Sequence, residues 1–282
     1  MLRTVCSNPL KIPDFLQVNN GGVLMQYDAI ILAGGENSSE LKKIAPYDNE
    51  ALIIIGQYPM IYFVYKALRQ STFVRRIVIS GPVESLRNIF YREKDIYFVD
   101  AGENAIESLA NAIKYLKSTD FSPNFLIAPT DIPFITREAI DDFIEQSMKV
   151  EADFYYPVTS KAVNELRFPG VTRTYVSLRE GIYTGGNLFI VNSREIEQAL
   201  DIGVKLVKRR KNPLAMASLL GFDLVWKFLL RRLTIEATEK RFSEVVGIRA
   251  RAIISSYAEI GVDVDKPEDL ELAQKYLADV VF

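Results

Sequence analysis

The sequence predicts an α/β fold: a mostly parallel sheet covered on both faces by helices, with a helical insertion toward the C-terminus. Short, mostly apolar segments such as Asp28-Ala-Ile-Ile-Leu-Ala33 and Asn124-Phe-Leu-Ile-Ala128 recur along the chain. Strands of that kind belong in sheets buried on both sides. Helical patterns separate them, as parallel crossovers require. Glycines and carboxylates stand directly after these segments, at the sheet edge where open α/β folds bind ligands.

In chain order, residues 1–26 carry Pro9, Pro13 and Asn19-Asn20-Gly21-Gly22 without periodicity. They read as a loose extension, and Met25 is the expected start of translation. Residues 27–282 read as one domain. Its first strand is Asp28 to Ala33. Pro59 to Gln70 is an expected helix and Arg76 to Ser80 a strand. Glu84 to Tyr91 is a helix, Ile96 to Val99 a strand, and Asn104 to Lys117 a helix. Asn124 to Ala128 is a strand, and Thr136 to Lys149 a helix opening on a threonine cap. Asp153 to Pro157 is a strand. Residues 160–183, polar and rich in Arg and Tyr, are expected to be extended. Asn187 to Val191 is a strand. Residues 193–247 form the helical insertion, with Lys205 to Lys211 as a basic stretch between helices. Arg249 to Ser255 is the last strand, and Pro267 to Ala278 a closing helix capped by Asp265.

Composition narrows the chemistry. The 282 residues are 49% hydrophobic and 25% charged, enough for one sizeable core. There is no histidine, so a Ser-His-Asp triad, a histidine-ligated metal and a histidine base are excluded. The single cysteine, Cys6, excludes an internal disulfide and a cysteine-built zinc site. Any metal must take oxygen ligands, which points to magnesium. A net charge of -2 gives no field that favours nucleic acid. No apolar run reaches the roughly 18 residues of a membrane span, and residues 1–25 lack the apolar core of a signal peptide. A cytoplasmic protein is the expectation.

Four constellations carry possible chemistry. Ile31-Leu32-Ala33-Gly34-Gly35 ends the first strand, where glycines let backbone amides approach phosphate; an ordinary tight turn is the plain alternative. Asp131, in Ala128-Pro-Thr130-Asp131-Ile-Pro133, follows an apolar strand and can hold magnesium against phosphate oxygens, or cap a turn before Thr136. Asp263 and Asp265 alternate in Gly261-Val-Asp-Val-Asp-Lys-Pro-Glu-Asp269 and face one side, so that one of them can complete a metal site. Tyr183-Thr-Gly185-Gly186-Asn187 permits close approach of a ligand, or is a turn with a bulge.

In order and spacing these segments resemble the MobA-like nucleotidyltransferases, which move a nucleoside monophosphate onto a small acceptor. The resemblance runs from about Tyr27 to the C-terminus. It rests on Ala29-Ile-Ile-Leu-Ala-Gly-Gly35, on the block around Asp131, and on Asp265-Lys-Pro-Glu-Asp-Leu270. It implies a Rossmann-like, three-layer α/β/α fold of the glycosyltransferase-A type. It implies a nucleoside triphosphate at Leu32, Ala33, Gly34, Gly35 and Thr130, with Ser108 near the base. It implies Mg2+ between Asp131 and Asp265, and a small-molecule acceptor, phosphorylated or hydroxylic, near Gly185, Gly186 and Asn187.

Two cations of the family pattern are missing. Ser39 stands near the place of an arginine in the glycine loop, and Glu50 replaces a lysine. Their loss is worth several kcal/mol of transition-state stabilisation. Lys42 and Lys43 are the candidate catalytic substitutes. Arg173, with Arg167 and Arg179, is a candidate on the acceptor side, and the basic stretch Lys205 to Lys211 is another. A non-catalytic nucleotide-binding protein that has lost these cations is the rival reading. A glycosyltransferase ranks third, because Asp131 is not part of an Asp-x-Asp pair.

Overall fold

A computed structural model describes residues 25–209 and 232–282, the side chains of 206–209 excepted. Most of the expected N-terminal extension, and residues 210–231 of the expected insertion, lie outside the described residues. The strands are β1 (Tyr27–Leu32), β2 (Ile54–Ile55), β3 (Tyr58–Pro59), β4 (Val74–Gly81), β5 (Ile96–Asp100), β6 (Asn124–Pro129), β7 (Phe154–Ser160), β8 (Val176–Leu178), β9 (Gly181–Gly185), β10 (Phe189–Asn192) and β11 (Ala250–Ser255). The helices are α1 (Met60–Gln70), α2 (Val83–Ile89), α3 (Ala105–Lys117), α4 (Arg137–Ser147), α5 (Lys161–Arg167), α6 (Ile196–Arg209), α7 (Ile235–Val246) and α8 (Pro267–Leu277).

Nine strands form one sheet in the order β5-β4-β1-β6-β10-β7-β9-β8, and β11 lies on the other edge of β7. The β5-β4-β1-β6 half is parallel, with Ala29 level with Ile77 and Leu126. β10 runs antiparallel between β6 and β7. The sheet is therefore mixed but mostly parallel, as the apolar segments predict.

Alternation along β1 divides the core. Ala29, Ile31 and Ala33 face α1 and α4, where Ile61, Val64, Leu68, Ile140, Phe143 and Ile144 are buried. Ile30 faces α3 and α6 with Val78, Phe125, Ile127, Ile113 and Leu116. Each fully buried side chain contributes about 1.5–3 kcal/mol relative to exposure. Asp28, the second residue of this strand, is fully buried. Its carboxylate accepts from both Arg75 and Arg76, and from the Ser122 amide at 2.8 Å.

Three expectations are corrected. Residues 160–183 are not extended throughout: α5 fills the start, because the Ser160 hydroxyl accepts from Val163 N and caps it. The remainder holds the β8–β9 hairpin. Lys205 does not fall between helices, because α6 runs on through Arg209 with Ile196, Ala199 and Leu200 packed on the sheet and α3. The Lys208 to Lys211 side chains lie outside the described residues. The third correction, at Asp265, concerns the site itself. Among the described residues no helix is long and apolar enough to cross a membrane.

Candidate active site

The glycine loop is built from backbone bonds. Ala33 N donates to Ser80 O at 2.7 Å, and Ala33 O accepts from Asn49 Nδ2 at 2.8 Å. The buried Asn37 side chain donates to Ala45 O and Tyr47 O. These contacts fold residues 36–49 back on the strand end, so that Glu50 N donates to Gly35 O at 3.2 Å. The Glu50 carboxylate then occupies the space beside Gly35. A Cβ there would lie 2.5 Å from Glu50 Cδ. Gly34 has a different neighbour, since its Cβ would lie 2.7 Å from Ala101 Cβ.

Two further segments meet this loop. β6 delivers Thr130 and Asp131 at its C-terminal end. Val264 N donates to Asp131 O at 2.8 Å, which ties the segment before α8 to the end of β6. One carboxylate oxygen from each of Asp131, Asp263 and Asp265 lies within 4.8 Å of the other two. Ser38 Oγ reaches Asp265 O from the glycine loop at 3.5 Å.

The helix-cap alternatives fall away. Thr136 caps α4, its hydroxyl accepting from Ala139 N. Asp265 was expected to cap α8 but does not: Pro267 at the first helical position makes Lys266 the N-cap. Asp269 turns back to accept from Asp265 N and Lys266 N, which leaves the Asp265 carboxylate uncommitted.

Electrostatics mark the same spot. Burial pushes the Asp131 carboxyl up to about 7, reinforced by the charges of Glu50 and then Asp265. Burial also raises Glu50, with Asp265 adding to the shift and the Thr130 hydroxyl opposing it. That hydroxyl faces Glu50 without a full hydrogen-bond geometry. Asp131 Oδ1, Arg173 Nε and Tyr175 OH are likewise buried without partners. Such atoms cost free energy unless a ligand satisfies them. Three carboxylates with a free buried oxygen suit a hard divalent cation such as magnesium.

The predicted residues separate into groups. Gly34, Gly35, Thr130, Asp131 and Asp265 come together. Arg173, expected on the acceptor side, joins the carboxylates: its guanidinium is ion-paired with Asp263 and donates from NH2 to Asp263 O at 2.9 Å. Lys42 is half-exposed and paired with Asp48 at 3.2 Å, and Lys43 is exposed. Ser108 is buried, and its hydroxyl accepts from Gly102 N, holding the loop before α3. Gly186 N and Asn187 N donate to Pro157 O and Ile260 O, and Gly185 lies against the Tyr156 ring. Leu32, Gly185 and Tyr156 line a separate apolar cavity of about 740 Å³ between the sheet and α3, α6 and α7. Tyr175 was not foreseen as part of the acidic site, and Glu50 was marked only as an acid in a lysine's place that could meet the metal. The signal for Glu50 was the very exchange of a lysine for an acid; Tyr175 carried none.

Known proteins share this family and fold. A MobA-like NTP transferase domain matches residues 29–220. A hypothetical transferase from Thermus thermophilus is 33% identical, with a TM-score of 0.76 over 87% of this chain and 100% of its own. The 2-C-methyl-D-erythritol 4-phosphate cytidylyltransferase of Bacillus cytotoxicus is 20% identical over 89% of this chain and 97% of its own. CMP:2-keto-3-deoxy-manno-octonic acid synthetase, solved with CTP, shares the fold at 12% identity, with a TM-score of 0.56 over 90% of this chain and 98% of its own.

Proposed function

Since the chain belongs to the MobA-like NTP transferase family, we propose that it transfers a nucleoside monophosphate from a nucleoside triphosphate to a phosphorylated or hydroxylic small molecule, releasing pyrophosphate. The observation that carries this reading is the convergence of Asp131, Asp263 and Asp265 beside the glycine loop, with a buried Asp131 oxygen left unpartnered. Asp131 and Asp265, with Asp263 beside them, would hold Mg2+. When bound, that ion neutralises phosphate charge and aligns the reacting groups. The Gly34-Gly35 backbone would lie along the triphosphate. An acceptor oxygen attacks the α-phosphorus in line, the bond from that phosphorus to the bridging oxygen breaks, and pyrophosphate leaves with its electron pair. A phosphate acceptor is already ionised and needs no base, which fits a chain without histidine. Positioning then supplies much of the rate. The relatives named as cytidylyltransferases put CTP first among the triphosphates to test.

The test is pyrophosphate release from each of the four triphosphates with magnesium and a panel of sugar and polyol phosphates. Thermal shift is read in parallel. One triphosphate should raise the melting temperature only with magnesium, and Asp131→Ala should remove that shift while the protein stays folded. Magnesium-dependent binding that survives Asp131→Ala rejects the reading. Binding with no turnover across all acceptors favours the non-catalytic rival, which Glu50 in place of a lysine keeps open.

A further inference from the structure

The family pattern lacks both of its cations here, and neither lysine of the glycine loop meets the carboxylates. Among the described residues Arg173 does. Its side chain is 12% exposed and that of Asp263 is 20% exposed. One arm of the guanidinium is ion-paired with the Asp263 carboxylate, and the other donates to the Asp263 backbone oxygen. Nε is buried and bonds to nothing. Tyr175 OH, also buried and unpartnered, lies in its surroundings with Asp131, Asp265 and Asp269. Arg173 thus holds one of the three carboxylates that a divalent ion would need.

We propose that Arg173 is the cation that grips the triphosphate at this site, and that it is stored on Asp263 until a divalent ion claims that carboxylate. The inference rests on the nucleotidyltransferase reading and names its phosphate-binding residue. The geometry supports an exchange rather than a departure. The bond from NH2 to the Asp263 main chain does not depend on the carboxylate. It keeps the guanidinium in place when the ion pair breaks. The freed arm then offers charge-assisted N–H donors of a planar cation to phosphate oxygens, and Nε, on the other edge of the guanidinium, holds a further unpartnered donor. No covalent step is involved: one carboxylate passes from guanidinium to metal, and the guanidinium passes to phosphate.

Two binding measurements on the full chain test this without turnover. In EDTA, inorganic pyrophosphate is titrated calorimetrically into wild type, Asp263→Asn, and Asp263→Asn with Arg173→Ala. Asp263→Asn releases the arginine without metal, so it should bind pyrophosphate at least tenfold more tightly than wild type, and the double variant should lose that gain. Equal binding by wild type and a folded Asp263→Asn protein, or a gain that persists without Arg173, overturns the proposal. The second measurement covers the case in which Asp263→Asn fails to fold. Magnesium is titrated into wild type and Arg173→Ala without nucleotide. Removing a competing cation should tighten magnesium several-fold, whereas loss of a merely structural arginine leaves it unchanged or weaker, which overturns the exchange. Absence of magnesium binding in every protein defeats the metal-dependent reading itself, and the metal-free titration still decides the role of Arg173.

Discussion

Gly35→Ala separates two reasons for a glycine at the end of β1. The new Cβ would stand 2.5 Å from Glu50 Cδ and closer still to its carboxylate oxygen. An ordinary carbon contact is about 3.5–4.0 Å, so the carboxylate must retreat by roughly 1 Å. The backbone cannot yield with it, because Glu50 N is bound to Gly35 O and Asn49 is bound to Ala33 O. Strain therefore falls on the Glu50 rotamer, at about 0.5–1.5 kcal/mol. For a domain of this size that is a fall of roughly 1–3 °C in melting temperature. In a Glu50→Ala background the obstacle is absent, and Gly35→Ala should be close to neutral. Four thermal melts without ligand complete the cycle, with an expected coupling of about 1 kcal/mol. The same four proteins are then assayed for magnesium-dependent triphosphate binding. If phosphate lies along this backbone, Gly35→Ala weakens binding in both backgrounds. Equal loss of stability in the two backgrounds refutes the steric account.

Two further outcomes follow from buried carboxylates. Asp131, with its carboxyl raised to about 7, holds a proton in the metal-free fold that the unfolded chain releases near pH 4; stability should therefore fall as pH rises from about 4 to about 7 and then level off, by at most about 4 kcal/mol. Metal-free melts from pH 5 to 8 check this, and Asp131→Asn should flatten the profile. Magnesium affinity should rise over the same range. Asp28→Asn leaves Arg75 and Arg76 around an uncharged buried partner and should cost about 3 kcal/mol, read as a lower urea midpoint at unchanged slope; a change below about 1 kcal/mol refutes the assignment.

Local pattern made much of this molecule legible. The central strands β1 and β6 are largely apolar because both faces are covered, and helices announce themselves by caps such as Asn104 and Thr136. Asp131 and Asp265 stood out because each lies beside a proline-marked boundary. What stayed hidden depends on distant contacts that leave no periodic trace. Gly35 clears room for Glu50, fifteen residues on. Arg173 meets Asp263 across ninety residues. The antiparallel setting of β10 is a property of its neighbours, since an apolar strand reads alike in either direction. The cap of α8 went to Lys266 rather than Asp265 by a single position, a shift that sequence boundaries rarely resolve.

The bond from Val264 to Asp131 also imposes an order in time. The two segments it joins are separated by roughly 130 residues of chain. Synthesis at about 5–20 residues per second puts roughly 7–30 s between them. β1, β4, β5 and β6 can pair within that interval, since every strand of the parallel half precedes Asp131. The nascent protein thus acquires its scaffold early and its full set of carboxylates late. A ribosome-bound chain stopped short of Val264 would hold every strand of the parallel half yet lack Asp265, one of the three carboxylates that meet in the finished fold.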